Sequence, residues 1–156
     1  MQMLKKSQFH FSFQNLELLQ GRVGRSRLTR WMRHALFVPA ELTVRFVERQ
    51  EGYQLNKRYR DRDYATNVLT FDFQHYPVAQ ADIVLCVPVL RKRAKEQNKS
   101  FVAHCAHLLV HAVLHAQGWD HLTDARARDM EALEIQIMER IGFENPYGNS
   151  RPIAHN

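Results

Sequence analysis

HAVLHAQGWDH, residues 111–121, is the stretch on which the reading of the whole chain turns. From Phe101 to Gln117 no Gly or Pro interrupts the pattern, and Leu108, Leu109, Val110, Val113 and Leu114 make this the most apolar helix predicted anywhere in the sequence. Gly118 is a natural stop for it. The same helix carries His104, His107, His111 and His115, three, four and four residues apart, which places them on one stripe. A helix rises 1.5 Å per residue, so His104 and His115 stand about 16 Å apart and cannot serve one ion. A pair at i and i+4 can, and both His107/His111 and His111/His115 qualify. Only His115 is followed by a glycine and then by another histidine, so the chain can reverse at Gly118 and bring His121 back toward the pair. His111, His115 and His121 are therefore the expected metal triad. With nine histidines in 156 residues, three at this spacing arise in roughly 3% of shuffled chains, which favours a shared ligand over coincidence. His10, His34, His104 and His107 are expected to be ordinary histidines satisfied by carbonyls or carboxylates.

Three neutral nitrogen ligands leave a tetrahedral ion with one open position, the arrangement of catalytic rather than structural zinc. Water bound there has its pKa lowered toward 7, so hydrolysis is the expected reaction class. The spacing also excludes something. A peptidase of the HExxH type needs a glutamate directly after its first histidine, and that position is Ala112. Asp120 could orient His121 or merely form the turn.

Working outward, Phe9, Phe11 and Phe13 alternate with polar residues in QFHFSFQ, and Leu42, Val44 and Phe46 alternate in ELTVRFVE; both predict strands. TNVLTFDF from Thr66 and ADIVLCVP from Ala81 add two more, separated by a loop with His75, Tyr76 and Pro77. Leu28, Trp31, Met32 and Ala35 recur at helical spacing, with Arg27, Arg30 and Arg33 mostly off that side. RQEGYQLNKRYR suits a surface helix or connector. Pro88 suits the first turn of a helix over VLRKRAKEQNKS. The last helix runs to about Ile141 and buries Met130, Leu133 and Ile137, with the tail after about residue 143 expected to fray. The order β-α-β-α-β-β-α-α-α predicts one α+β domain over 1–156, a small mixed four-stranded sheet packed with helices, its metal-binding helix against the sheet in a zincin-like arrangement.

Composition narrows the class further. Aliphatic and aromatic residues make up 45% and charged residues 24%, which is globular rather than disordered. No window approaches the apolar length of a spanning helix and no signal-peptide pattern opens the chain, so a cytoplasmic protein without membrane contact is expected. Cys86 and Cys105 sit singly in apolar surroundings and read as buried thiols. The net charge of +6 favours a polyanionic partner.

Several of these motifs together resemble the YbeY-type endoribonucleases, metal-dependent enzymes of bacterial ribosomal RNA processing. HAVLHAQGWDH resembles the family's HGxLHLxGYDH, and LNKRYRDRDYATNVLTF from Leu55 resembles LNxxYRxxDxPTDVLSF. ADIVLC is similar to GDIVI, and the helix carrying MEALE follows in the right order; the resemblance spans about residues 42 to 142. It implies His111, His115 and His121 as ligands of one ion, usually zinc (Zn2+), and Arg60 as the positively charged catalytic residue of the cleft. A guanidinium there can hold a phosphate bidentately and oppose transition-state charge. The implied function is a single-strand-specific endoribonuclease of 16S rRNA 3′-end maturation and ribosome quality control, acting as a monomer or weak oligomer with the small subunit and ribosome-associated proteins. Ala112, Ala81, Ala65 and Asn67 depart from the family pattern, and Ala112 adds a methyl beside the expected metal face. The arginine-rich segment from Arg22 to Arg33 maps onto no family motif and is at best an auxiliary RNA contact. The sequence leaves two rivals open: an RNA-binding module with a structural metal, and a metal-dependent peptidase or amidohydrolase.

Overall fold

A computed structural model of the chain describes residues 3–60, with side chains as far as Arg58, and residues 67–148. Its elements follow the expected order: β1 (Phe9–Gln14), α1 (Arg25–His34), β2 (Ala40–Val47), α2 (Arg49–Arg60), β3 (Val68–Gln74), β4 (Ala79–Cys86), α3 (Val87–Glu96), α4 (Phe101–Ala116) and α5 (Asp124–Arg140). Two short 3-10 turns flank β1. The sheet order is β1-β2-β4-β3. β1, β2 and β4 run parallel, with Phe9 opposite Ala40 and Ala40 opposite Ala79, while β3 pairs antiparallel with β4 as a hairpin. This is the mixed four-stranded sheet expected.

Strand β4 explains why ADIVLC reads as a nearly continuous apolar run rather than a clean alternation. Ala81, Ile83 and Leu85 enter the main core with residues of α1 and α4, whereas Val84 and Cys86 enter a smaller cluster with Val47, Leu69 and Leu55 of α2. A strand covered on both faces has no polar side to show. Both cysteines are buried thiols without a disulfide, and burial pushes Cys105 up to about 12, which keeps it protonated and unreactive.

Helix α4 lies at the centre. Leu109, Val110, Val113 and Leu114 are fully buried, and Ala112, expected beside the metal face, instead turns its methyl into the same core. Ser100 caps its start, accepting from the Ala103 amide at 3.0 Å. Its end is a Schellman turn: Trp119 N donates to Leu114 O and Gly118 N to His115 O, with Gly118 at φ +99°. α5 ends the same way at Gly142 and is capped at its start by Thr123.

As far as residue 148 the tail differs from the fraying expected after about residue 143: Phe143 packs edge-on against Trp31, Pro146 is buried and the Tyr147 hydroxyl donates to Glu134 of α5, while residues 149–156 lie outside the described residues. The aromatic pair and the buried acceptor hold this segment as nothing holds a fraying end. Among the described residues no helix is long and apolar enough to cross a membrane.

Gln117, the last residue before the turn, fastens the α1–β2 connection to α4. Its Oε1 accepts from Phe37 N at 2.7 Å and Val38 N at 3.3 Å, and its Nε2 donates to Ala35 O at 2.8 Å. Replacing Gln117 with Leu keeps the bulk but strands these backbone groups, a loss of about 1–3 kcal/mol. Urea unfolding is expected to show a lower midpoint with an unchanged slope.

Candidate metal and RNA-cleavage site

His111 and His115 lie one turn apart on α4, and His121 lies in the exposed turn beyond Gly118. The reversal does bring the trailing ring back: the centroids of His111 and His121 are 5.8 Å apart, with planes inclined at 41°. The triad is nevertheless not closed. Among the described residues no group of three or more His, Cys, Asp or Glu side chains is set to hold a metal ion. Two of the rings ride on a helix, and the third sits on the turn beyond it with its side chain exposed.

The strongest polar feature of the site is a residue that motif reading passes over. Glu134 of α5 is fully buried, with Oε1 2.7 Å from His107 Nε2 and Oε2 2.6 Å from His111 Nδ1. Burial by itself would raise its pKa, but the hydrogen bonds from His107 and His111 outweigh that and hold the carboxyl at about 2. An ionised carboxylate only accepts, so the nitrogen facing it on each ring carries a proton. For a neutral His111 this fixes the tautomer and leaves Nε2 with its lone pair, which is how a carboxylate behind a histidine prepares a metal ligand. The donor chemistry therefore suits an ion even though the tripod is open. His107, expected to be an ordinary satisfied histidine, is one, and Glu134 is its carboxylate. The sequence does carry a signal for this: two histidines four apart on one helix present adjacent nitrogens that a single carboxylate can span.

The β3–β4 hairpin forms another wall. His75 Nε2 is 2.5 Å from Asp72 Oδ2. Burial would raise Asp72, yet the bond to His75, its own backbone amide and the charge of His115 bring it below its ordinary value, which places this carboxyl in the field of a triad member. A Cβ added at Gly118 would meet the His75 ring at 3.4 Å, so the hairpin loop lies directly on the turn that leads to His121. Asp120 does what a turn aspartate does, accepting from Leu122 N at 3.0 Å and Arg126 Nη1 at 3.3 Å. Trp119 and Leu122 are exposed beside it.

Arg60 is the last residue of α2; its side chain, and residues 61–66 of the motif that contains it, lie outside the described residues. The strand that follows, β3, packs against α4, the helix that carries His111 and His115.

His104 departs from expectation in the other direction. It is 3% exposed, and neither ring nitrogen has a hydrogen-bond partner among the described residues. Burial, with the like charges of His107, Lys99 and Arg93, lowers it to about 4. It is therefore neutral at pH 7 in the folded chain and titrates near 6.5 once unfolded.

Residues 15–142 match the family model described as Endoribonuclease YbeY. A relative of that name from Delftia acidovorans is 60% identical over 126 residues, covering 80% of this chain and 83% of its own. Another from Janthinobacterium sp. (strain Marseille) is 50% identical over 151 residues, covering 94% of this chain and 99% of its own. The solution structure of TM1509 from Thermotoga maritima is 19% identical and covers 90% of this chain and 100% of that one at a TM-score of 0.56, a likeness of fold.

The depressed pKa of His104 bears on stability. The unfolded chain takes up a proton at this position below pH 6.5 and the folded chain does not, so its contribution is complete above pH 6.5 and is lost as pH falls toward 4, a change on the order of 3 kcal/mol. Unfolding free energies measured by urea from pH 7 to 4 should fall accordingly, and His104→Leu should flatten that slope.

Proposed function

Since the chain belongs to the YbeY family of endoribonucleases, enzymes that cut RNA internally, we propose that it does so with one divalent metal ion, zinc, held by His111, His115 and His121. The observation that carries this reading is the pairing of His111 Nδ1 with buried Glu134, which leaves Nε2 of a neutral ring unprotonated, on a ring whose centroid lies 5.8 Å from that of His121. Closing the tripod asks most of His121, the one of the three outside a helix. When bound, such an ion supplies Lewis acidity toward a phosphoryl oxygen and an acidified water. The chain supplies the remainder. Glu134 fixes the His111 tautomer, the hairpin and the Trp119 turn wall the site, and Arg60 at the end of α2 provides the cation that opposes charge on the phosphate in the transition state.

The substrate in this proposal is single-stranded RNA, with the 3′ end of 16S rRNA as the physiological target and ribosome quality control as the setting. The protein acts in the cytoplasm as a monomer or weak oligomer with the small ribosomal subunit and ribosome-associated proteins. The net charge of +6 supports a polyanionic substrate.

Two substitutions test the division of labour. His115→Ala is expected to lose most bound metal, by elemental analysis of the purified protein, and most cleavage of a labelled RNA, while circular dichroism stays that of the parent. If it cuts RNA normally without metal, the ligand set is wrong. Arg60→Glu should lower turnover by about 100-fold with metal content unchanged; loss of metal as well would assign Arg60 a structural part.

A further inference from the structure

The arginines that precede and line α1 are the cationic feature the histidine site does not use. Between Arg22 and Arg33 the chain carries five arginines and no acid. The structure holds four of them over aromatic rings: Arg22 over Phe101 at 5.1 Å, Arg25 over Phe13 at 5.2 Å, Arg27 over Trp31 at 5.2 Å and Arg33 over Phe9 at 5.6 Å. Arg33 Nε also donates to Leu4 O at 3.0 Å, and Arg30 Nη1 to Ile141 O at 3.4 Å. Guanidiniums fixed in this way have already given up rotamer freedom, so less is lost when they take a ligand.

Three of these arginines converge. A groove of about 840 Å³ between the start of β1 and α1 is lined by Lys6, Phe9, Arg25, Arg30, Arg33 and His34, among others, and among the described residues by no Asp or Glu. The field there is positive enough to register on its one neutral imidazole: burial lowers the pKa of His34, and the charges of Arg30, Arg140 and Arg33 lower it further. A cleft with cations on its walls and no anion to neutralise them retains phosphate.

We infer that the groove between β1 and α1 is a second RNA-binding site, which grips the phosphodiester backbone of the substrate away from the bond that is cut. This rests on RNA being the substrate. RNA fits better than a membrane surface, because Leu28, Trp31 and Met32 of α1 are all buried in the core and the helix has no apolar face to insert. It fits better than an acidic protein segment because the walls offer planar, aromatic-backed guanidiniums, which match phosphate bidentately. The connection that follows the groove's His34 is tied to the histidine helix. Just beyond His34, Gln117 pins the backbone of Ala35, Phe37 and Val38 to the end of α4, and Phe37 packs against Trp119 at 6.3 Å, two residues before His121.

Two variants of the full-length chain test it. Lys6→Gln/Arg25→Gln removes two cations of the groove wall without cutting the arginine hydrogen bonds that tie α1 to Leu4 and Ile141. Ser26→Glu sets an anion in the exposed first turn of α1, where an acid favours the helix and cannot be blamed for unfolding. Binding of a fluorescent single-stranded RNA is measured against salt. The double variant should lower the log–log salt slope by about 1.4, at about 0.7 for each phosphate no longer neutralised. Ser26→Glu should weaken binding about tenfold at low salt without lowering the melting temperature, a scale set by one or two phosphates. Metal content and cleavage of an oligonucleotide of a few nucleotides should match the parent in both, while kcat/KM on long RNA falls. Parental RNA affinity and slope in both variants would overturn the inference, as would a loss confined to anionic vesicles or to an acidic peptide. A parent chain that binds RNA through this groove but cuts none would leave the inference standing and remove the enzymatic reading instead.

Discussion

A single carboxylate inside the protein sets where its histidines stand. Glu134 comes from a helix that begins after the histidine turn, yet its two oxygens take one nitrogen each from His107 and His111, and the Tyr147 hydroxyl reaches the first of them. A buried anion would be expensive by itself; three donors around it reverse the sign of that cost and make the position of each donor a condition of stability. α4, α5 and the segment beyond α5 are thereby held in one arrangement. The chemistry assigned to His111 depends on this, because the carboxylate decides which nitrogen carries the proton.

The histidine helix has two obligations that ordinarily conflict. It must be the apolar centre of the fold, and it must present imidazoles to a cleft. The structure separates them by face: Leu109, Val113 and Ala116 go to the main core, while His107 and His111 go to the carboxylate of α5. Gln117 then provides at the helix end what apolar packing cannot, a directional lock on the connection between α1 and β2. The same few residues therefore define both the limit of the core and the start of the turn that carries His121.

Much of this is written locally. Alternation through Phe9, Phe11 and Phe13 and through Leu42, Val44 and Phe46 is enough to mark β1 and β2, and uninterrupted apolar spacing marks α4, because those signals need only the nearest neighbours. The His111/His115 pair and the glycine reversal are local in the same sense. What escapes is long-range. MEALE contains two glutamates, and nothing in their immediate surroundings distinguishes Glu131 from Glu134; the difference is a pair of rings 27 and 23 residues upstream. The segment from 143 to 148 escapes for the same reason, since a polar stretch around Pro146 reads as loose until Tyr147 meets its acceptor. His104 shows the limit from the other side: its spacing is that of its neighbours on the stripe, and only the packed structure shows that its nitrogens meet no partner among the described residues.

Gly118 carries a constraint of one kind only. The imidazole of His75 lies at ordinary contact distance from where a side chain would begin, so space alone does not demand glycine there; the torsion of +99° does. Asparagine, the non-glycine residue most at ease at positive φ, is accordingly the replacement this corner would bear at least expense, and valine or isoleucine the ones it would refuse. Drift at position 75 cannot relax that preference, because the hairpin ring is not its cause. Two segments that touch can in this way evolve independently of each other.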